Sequence, residues 1–294
     1  MPALVEHFDH FVMPVDDVLA AEDFYENVLG AKIAINRRGV QARAGLNVRY
    51  YREGVRPVTF YAAAGKRIGT YLQSDYRVPR EQTLLRGAPT YTFETSAALF
   101  PGIVDRFKAA GVAFLGPLHK PEPGVVSGIY FNDPTGNHLA IYVPEKPNAT
   151  TVADANPPGG LTAMGYLQLE APDLDKSISF YCETFGFDRP VMGTDALSSA
   201  REARFTMPSG QAIILTEGPF SDKGMKLTRL EPGPHLGFYV PEERWKATLD
   251  NIARLKIPNG DRAADAKARA PEQKDTYFDD PAGYVIQLIA MLED

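Results

Sequence analysis

Apolar and polar residues alternate with period two over most of this chain, and four stretches switch to helical spacing. Residues 8 to 15 predict a strand. Asp17 is placed to N-cap a helix with Ala21, Phe24 and Val28 on one side, and Gly30 suits a left-handed cap. Strands are expected near 32–36, 47–52, 57–62 and 67–73, then from Thr90 to Thr95. A second helix starts near Pro101, turns Ile103, Val104 and Phe107 inward and stops at Gly111. Residues 144 to 160, rich in Pro, Asn, Thr and Gly, read as a linker. The pattern then restarts. Tyr166 to Ala171 predicts a strand, and Asp173 caps a helix carrying Ile178, Tyr181 and Phe185 that Gly186 closes. Strands follow near 203–207, 211–215 and 235–240. A helix at 242–256 carries Trp245, Leu249 and Ile252 on one face, with Trp245 read as core. The polar stretch 259–275 reads as a solvated connector, with a lid as the alternative.

The restart is a duplication. Asp17, Phe24, Tyr25 and Gly30 recur at Asp173, Phe180, Tyr181 and Gly186, each 156 positions on. Tyr130, Asp133, Pro134 and Gly136 recur at Tyr277, Asp280, Pro281 and Gly283, each 147 positions on. Asp-Pro-x-Gly suits a type I turn between two strands, with Asp capping, Pro presetting φ and Gly tolerating the exit. Each half therefore reads strand, helix, strands, twice over. The expected domains are 1–145 and 161–294, joined by a linker at 146–160.

Composition narrows the class. With 294 residues and 44% apolar content the chain builds ordinary globular cores. No run of 18 apolar residues is present, so no membrane span is expected. The first residues, MPALVEHFDHF, lack a signal-peptide pattern, and a cytoplasmic location is the expectation. The single cysteine, Cys182, permits no internal disulfide and reads as an inert thiol on a helix. The net charge of −6 conceals a basic stretch, with 12 Lys/Arg against three acids between residues 31 and 90. One reading is a solvated face that pairs with acids elsewhere. The other is attraction of a small anionic ligand. Nucleic acid does not fit an acidic chain without a recognised binding signature.

The order of elements, with Phe-Tyr-x4-Gly after the first strand and Asp-Pro-x-Gly before the last, resembles the vicinal oxygen chelate superfamily. That superfamily includes glyoxalase I, bleomycin-resistance proteins and extradiol ring-cleavage dioxygenases. The resemblance covers nearly the whole chain and is greatest for the two-domain extradiol dioxygenases. It implies an α+β fold of four βαβββ modules paired into two domains of curled sheet, each around a cavity.

The resemblance also implies a metal site. Its chemistry needs a divalent ion held by few protein groups with open positions, and two His with one carboxylate supply this for Fe(II). The family's ligand places fall on His10, Thr90 and Ala140 in the first half, and on Tyr166, His235 and Gln287 in the second. Neither set is complete. Gln287 offers only a neutral carbonyl, Ala140 offers nothing, and Tyr166 would ligate only as phenolate. Glu170 is four residues along the strand from Tyr166, roughly 13 Å, too far to replace a ligand there. Some ring-cleavage relatives pair their first module with their fourth, which would combine His10, His235 and Gln287. Alternatively His138, which shares a strand face with Ala140, would partner His10.

Two functions follow. The first is an enzyme resembling extradiol dioxygenases, acting on a small aromatic or oxygen-rich anionic molecule. Tyr166, Gln168 and Gln287 would line its second-half cavity with the catalytic candidates His235 and Tyr277. Any metal would be Fe(II) or Mn(II) on His10 or His235. Tyr277 matches the family tyrosine that hydrogen-bonds substrate, although Tyr130 repeats it as a strand aromatic. The second is a metal-free protein of the same fold that sequesters a ligand or works by acid–base groups. Either allows a homodimer, and neither needs a membrane. Gly65-Lys66-Arg67 is not a phosphate loop, and His7 and His119 carry no pattern.

Overall fold

A computed structural model describes residues 3–36, 58–72, 89–195, 199–218, 234–260 and 273–291. The chain divides into two compact units, one of His10–Gly165 and one of Met1–Asp9 with Tyr166–Asp294. The expected strand at 47–52 and most of the basic stretch lie outside the described residues. Among the described residues no helix is long and apolar enough to cross a membrane.

The His10–Gly165 unit holds two strand–helix–strand modules. The first comprises β1 (His7–Val15, in this unit from His10), α1 (Val18–Asp23), β2 (Lys32–Asn36), β3 (Val58–Ala63) and β4 (Lys66–Leu72). Its strands lie in the order β1-β4-β3-β2, with β1 parallel to β4. The second comprises β5 (Thr90–Glu94), α2 (Phe100–Ala109), β6 (Phe114–His119), β7 (Val125–Asn132) and β8 (His138–Pro144), ordered β5-β8-β7-β6. Asp17 caps α1 as expected, accepting from the Leu19 and Ala20 amides. The helix then departs from expectation. Phe24–Val28 form a π turn, with the Leu29 amide donating to the Phe24 carbonyl.

The other unit repeats the plan. Its modules are β9 (Ala163–Ala171, in this unit from Tyr166), α3 (Leu174–Phe185), β10 (Val191–Thr194), β11 (Arg201–Thr206) and β12 (Ala212–Glu217), then β13 (His235–Tyr239), α4 (Glu242–Arg254), β14 (Gln273–Asp279) and β15 (Val285–Met291). The strand orders are β10-β11-β12-β9 and β14-β15-β13. Asp173 caps α3 at the Lys176 amide, and Gly186 ends it at φ 68°. Trp245 is buried, as expected for core, together with Thr248 and Ile252. The architecture is α+β, built from mixed sheets with few helices.

Strand alternation decides which face is core. In α3, Tyr181 packs on Phe205 of β11, while Phe185 packs on Phe238 of β13 and Phe278 of β14. Both sheets of this unit thus bury one apolar face against the same helix, at about 1.5–3 kcal/mol per buried aromatic side chain. The residues between, one position on, belong to the opposite faces. Those faces carry the polar side chains. The His10–Gly165 unit is built likewise, with Phe107 of α2 against Phe24 and Phe131.

Candidate functional site

The first polar face belongs to β13–β15. The register sets Tyr277 opposite Gln287, and Gln287 opposite Gly237. His235, two residues before Gly237, shares their side, and Gly237 itself contributes no side chain. The His235 ring stands edge-on to the Tyr277 ring at 5.6 Å between centroids. The Gln287 amide donates to Asp275 Oδ2 at 3.4 Å. Tyr277, Gln287 and Asp275 are buried, and His235 is half-buried. The structure thus brings His235, Tyr277 and Gln287 together. It also adds Asp275, which the sequence pattern puts at the end of a polar connector. Asp275 is the second residue before Tyr277 on β14, so alternation puts both on one side.

Tyr166 and Gln168 do not join this group. They lie on β9, in the other sheet of the unit, on the face turned away from α3. Gln168 Nε2 donates to Thr216 Oγ1 at 3.1 Å across to β12. The two polar faces back onto one aromatic core, so the single lining expected from the sequence divides into two. The reason is topological: β9 to β12 pair in one sheet and β13 to β15 in another. The Glu170 amide donates to the Tyr284 hydroxyl. Its carboxylate flanks Gly218, where an added Cβ would meet it at 3.4 Å.

In the His10–Gly165 unit, the corresponding face of β5 and β8 carries Thr90, Thr92, Glu94, His138, Ala140 and Tyr142. His138 is buried, its Nδ1 2.7 Å from Thr90 Oγ1, and its ring stacks on Tyr130 at 6.0 Å. Burial pushes the Glu94 carboxyl up, against the pull of hydrogen bonds from Asn148 and the Tyr142 hydroxyl. His10 lies on β1 and is half-buried. Elsewhere, burial holds the Cys182 thiol above its ordinary value, which suits an inert group. His7, which carries no pattern in the sequence, stacks on Tyr239 at 4.8 Å and sits 3.5 Å from Asp9.

The duplicated turn does more than cap a hairpin. Asp133 is buried, takes backbone N–H bonds from Thr135, Gly136 and Asn137, and accepts from the Tyr25 hydroxyl. Asp280 does the same with Ala282, Tyr284 and Tyr181. Burial pushes both carboxyls up to about 6 despite these bonds. They hold the fold and face the helices.

The donor set tests the implied metal. Among the described residues no three His, Cys, Asp or Glu side chains assemble as a set that could hold an ion. On the β13–β15 face the place for a carboxylate ligand is Gln287, whose amide is engaged with Asp275. On the β5–β8 face the matching place is Ala140, and His138 is turned to Thr90. Neither face offers the two-histidine, one-carboxylate arrangement.

The model of the Glyoxalase/Bleomycin resistance protein/Dioxygenase superfamily matches residues 7–141 and 163–288, and the chain belongs to that superfamily. Among solved structures, a candidate dioxygenase from Bacillus subtilis is similar at TM-score 0.68 and 14% identity, covering 98% of this chain and 86% of its own. Glyoxalase I from Zea mays is similar at TM-score 0.57 and 14% identity, covering 97% and 92%. At these identities the likeness is one of fold. No curated protein sequence matches.

Proposed function

We propose that this chain binds a small, oxygen-rich molecule on the β13–β15 face and acts on it by proton transfer without a bound metal. His235 is the proton acceptor in this reading, and the Tyr277 hydroxyl is the hydrogen-bond donor to substrate oxygen. One observation supports it: the side chain at the carboxylate-ligand place, Gln287, is neutral and donates to Asp275. A neutral amide cannot offset the charge of a divalent ion, so ligation through its Oε1 would leave that charge uncompensated. A half-buried imidazole edge-on to a buried phenol is suited to hold and pass a proton.

The test uses the full chain purified without chelator. Catechol, methylglyoxal and 2-hydroxy-ketone probes are screened by thermal shift, before and after exhaustive EDTA treatment. The reading expects a stabilising probe whose effect survives EDTA and is lost in His235→Ala, with Tyr277→Phe weakened about tenfold. A shift abolished by EDTA and restored by Fe(II) or Mn(II), with metal lost in His10→Ala or His235→Ala, would establish the extradiol-dioxygenase reading instead.

A further inference from the structure

β2, β6, β10 and β14 are edge strands, and all but β10 carry a device that blunts the edge. β2 has Lys32 and a register shift between Ile33 and Ile35. β6 has Pro117 and a register shift between Leu115 and Leu118. β14 has Lys274, and Gly260 bridges to Tyr277 on the side away from β15. β10 has nothing of the kind. Its sequence, Val-Met-Gly-Thr, holds no charge and no proline, and it runs in unbroken register with β11. The whole strand is exposed, Val191 at 72% and Met192 at 49%. Among the described residues no strand pairs with its outer side.

The bare edge is also set up for pairing. The Asp195 amide donates to the Ala200 carbonyl, so Asp195 turns its backbone groups toward β11. Alternation then turns the amides and carbonyls of Met192 and Thr194 outward. Side chains alternate as well, with Val191 and Gly193 on one side of the strand and Met192 on the other. A Cβ on Gly193 would meet nothing within 4 Å, and its φ is not left-handed, so the backbone does not demand glycine there. On the Val191 side the strand is basic at its start, with Arg189 and, across on β11, Arg204. It is acidic at its end, with Asp195 and, across on β11, Glu202. Burial, then the like charge of Asp195, holds the Glu202 carboxyl above its ordinary value. Arg189 and Asp195 lie three residues before and three residues after Met192.

We infer that β10 pairs with β10 of a second copy of this chain, antiparallel about a two-fold axis through Met192. That register uses each feature of the edge. The two Met192 residues exchange amide-to-carbonyl bonds across the axis, and each Thr194 amide donates to the Pro190 carbonyl of the other copy. Val191 falls opposite Gly193, in the open space above it. Arg189 falls opposite Asp195, so basic end meets acidic end twice. An axis through Gly193 would instead set Val191 against Asp195, and complementarity therefore selects Met192. Stable interfaces bury about 1,200–2,000 Å², and so short an edge makes a weak dimer, with a dissociation constant on the order of 10 μM. The inference does not depend on the function proposed for the β13–β15 face.

Sedimentation velocity on the full chain, from about 1 to about 300 μM, reads the association. Wild type is expected to pass from monomer to dimer across that range. Met192→Lys sets two like charges face to face, and Arg189→Glu opposes Asp195. Each should weaken association about tenfold or more. Leu19→Lys, at an exposed apolar side chain of the other unit, should leave it unchanged. Hydrogen exchange should show the Met192 and Thr194 amides gaining protection as wild-type concentration rises, with no gain in Met192→Lys. At concentrations where wild type is monomeric, both edge variants should unfold at its urea midpoint, since both side chains are exposed. A chain that stays monomeric throughout would overturn the inference and leave the edge to a strand of a different protein. A dimer untouched by both edge variants, or one whose Met192 and Thr194 amides exchange at the monomer rate, would overturn it as well.

Discussion

The Tyr181 hydroxyl donates to Asp280 Oδ2 at 3.0 Å, and Tyr25 donates to Asp133 Oδ2 at the same distance in the other unit. In each unit a helical tyrosine of one module thus locks the turn aspartate of the next. These are the residues that repeat in the sequence at offsets of 156 and 147, so the duplication preserves a contact between modules as well as the motifs. Truncating the donor leaves a buried carboxylate short of one bond, which costs about 1–3 kcal/mol. Tyr181→Phe and Tyr25→Phe are each expected to lower unfolding free energy by that amount in urea denaturation. A double-mutant cycle with Asp280→Asn should give a coupling above about 0.5 kcal/mol. Additive effects would mean that the hydroxyl and the carboxyl act independently.

The same carboxyls set a pH dependence. Burial raises Asp133 and Asp280 from 3.8 to about 6. Between those values the native state keeps protons that the unfolded chain releases, so stability falls as pH rises. The contribution is complete below about pH 4 and lost above about pH 6, and it is on the order of 2–3 kcal/mol for each carboxyl. Urea midpoints measured from pH 4 to 7 should decline through this window, and Asp280→Asn should flatten the slope. A midpoint that rises steadily over the window would show that the hydrogen bonds outweigh burial.

Arg106 of α2 makes a clamp that no motif announced. Its guanidinium donates to the carbonyls of Val28, Leu29 and Gly159. Gly30 and Gly159 meet back to back there, and a Cβ on Gly159 would lie 2.2 Å from the Leu29 carbonyl oxygen. Both glycines also have positive φ. Gly159→Ala is expected to cost more than about 2 kcal/mol through clash and backbone strain together. Arg106→Ala should cost about 2–4 kcal/mol, since three carbonyls lose a charged donor. Hydrogen exchange around residues 28–31 should accelerate in both variants. Unchanged protection there would show that the clamp does not hold this corner.

Much of this fold could be read from residues whose chemistry is local. Asp17 and Asp173 cap the helices expected of them, and Gly30 and Gly186 take the positive φ that ends a helix. The Asp-Pro-x-Gly turns fall where the pattern puts them. What escaped depends on contacts between distant segments. The turn aspartates read only as turn caps because nothing local reveals a tyrosine over 90 positions away. Asp275 was hidden by the polar run before it, although it alternates with period two to Tyr277. Tyr166 and Gln168 seemed to share a lining with His235, because spacing along a chain does not say which sheet a strand joins. The π turn at Phe24–Val28 left no trace, since its sequence has good helical spacing.

Gln287→Glu tests whether the β13–β15 face is a metal site lacking one charge. The change places a second carboxylate on the partner of Asp275, with both groups buried. Two like charges about 3 Å apart cannot both ionise without cost, so one must take up a proton. The variant should be destabilised by about 2–4 kcal/mol at pH 7.5, with most of the loss recovered at pH 5 as one carboxyl protonates. Mn(II) at millimolar concentration should not restore stability at pH 7.5. His7 stacks on Tyr239, which is four residues along β13 from His235 and so roughly 13 Å away. Among the described residues of this unit, that leaves His235 as the one imidazole beside Tyr277, with Asp275 already hydrogen-bonded. Thermal melts of the variant with and without Mn(II), at both pH values, decide the matter. Recovery by Mn(II) at pH 7.5 would mean that the site lacks only a charge, and the metal-free reading of this face would be wrong.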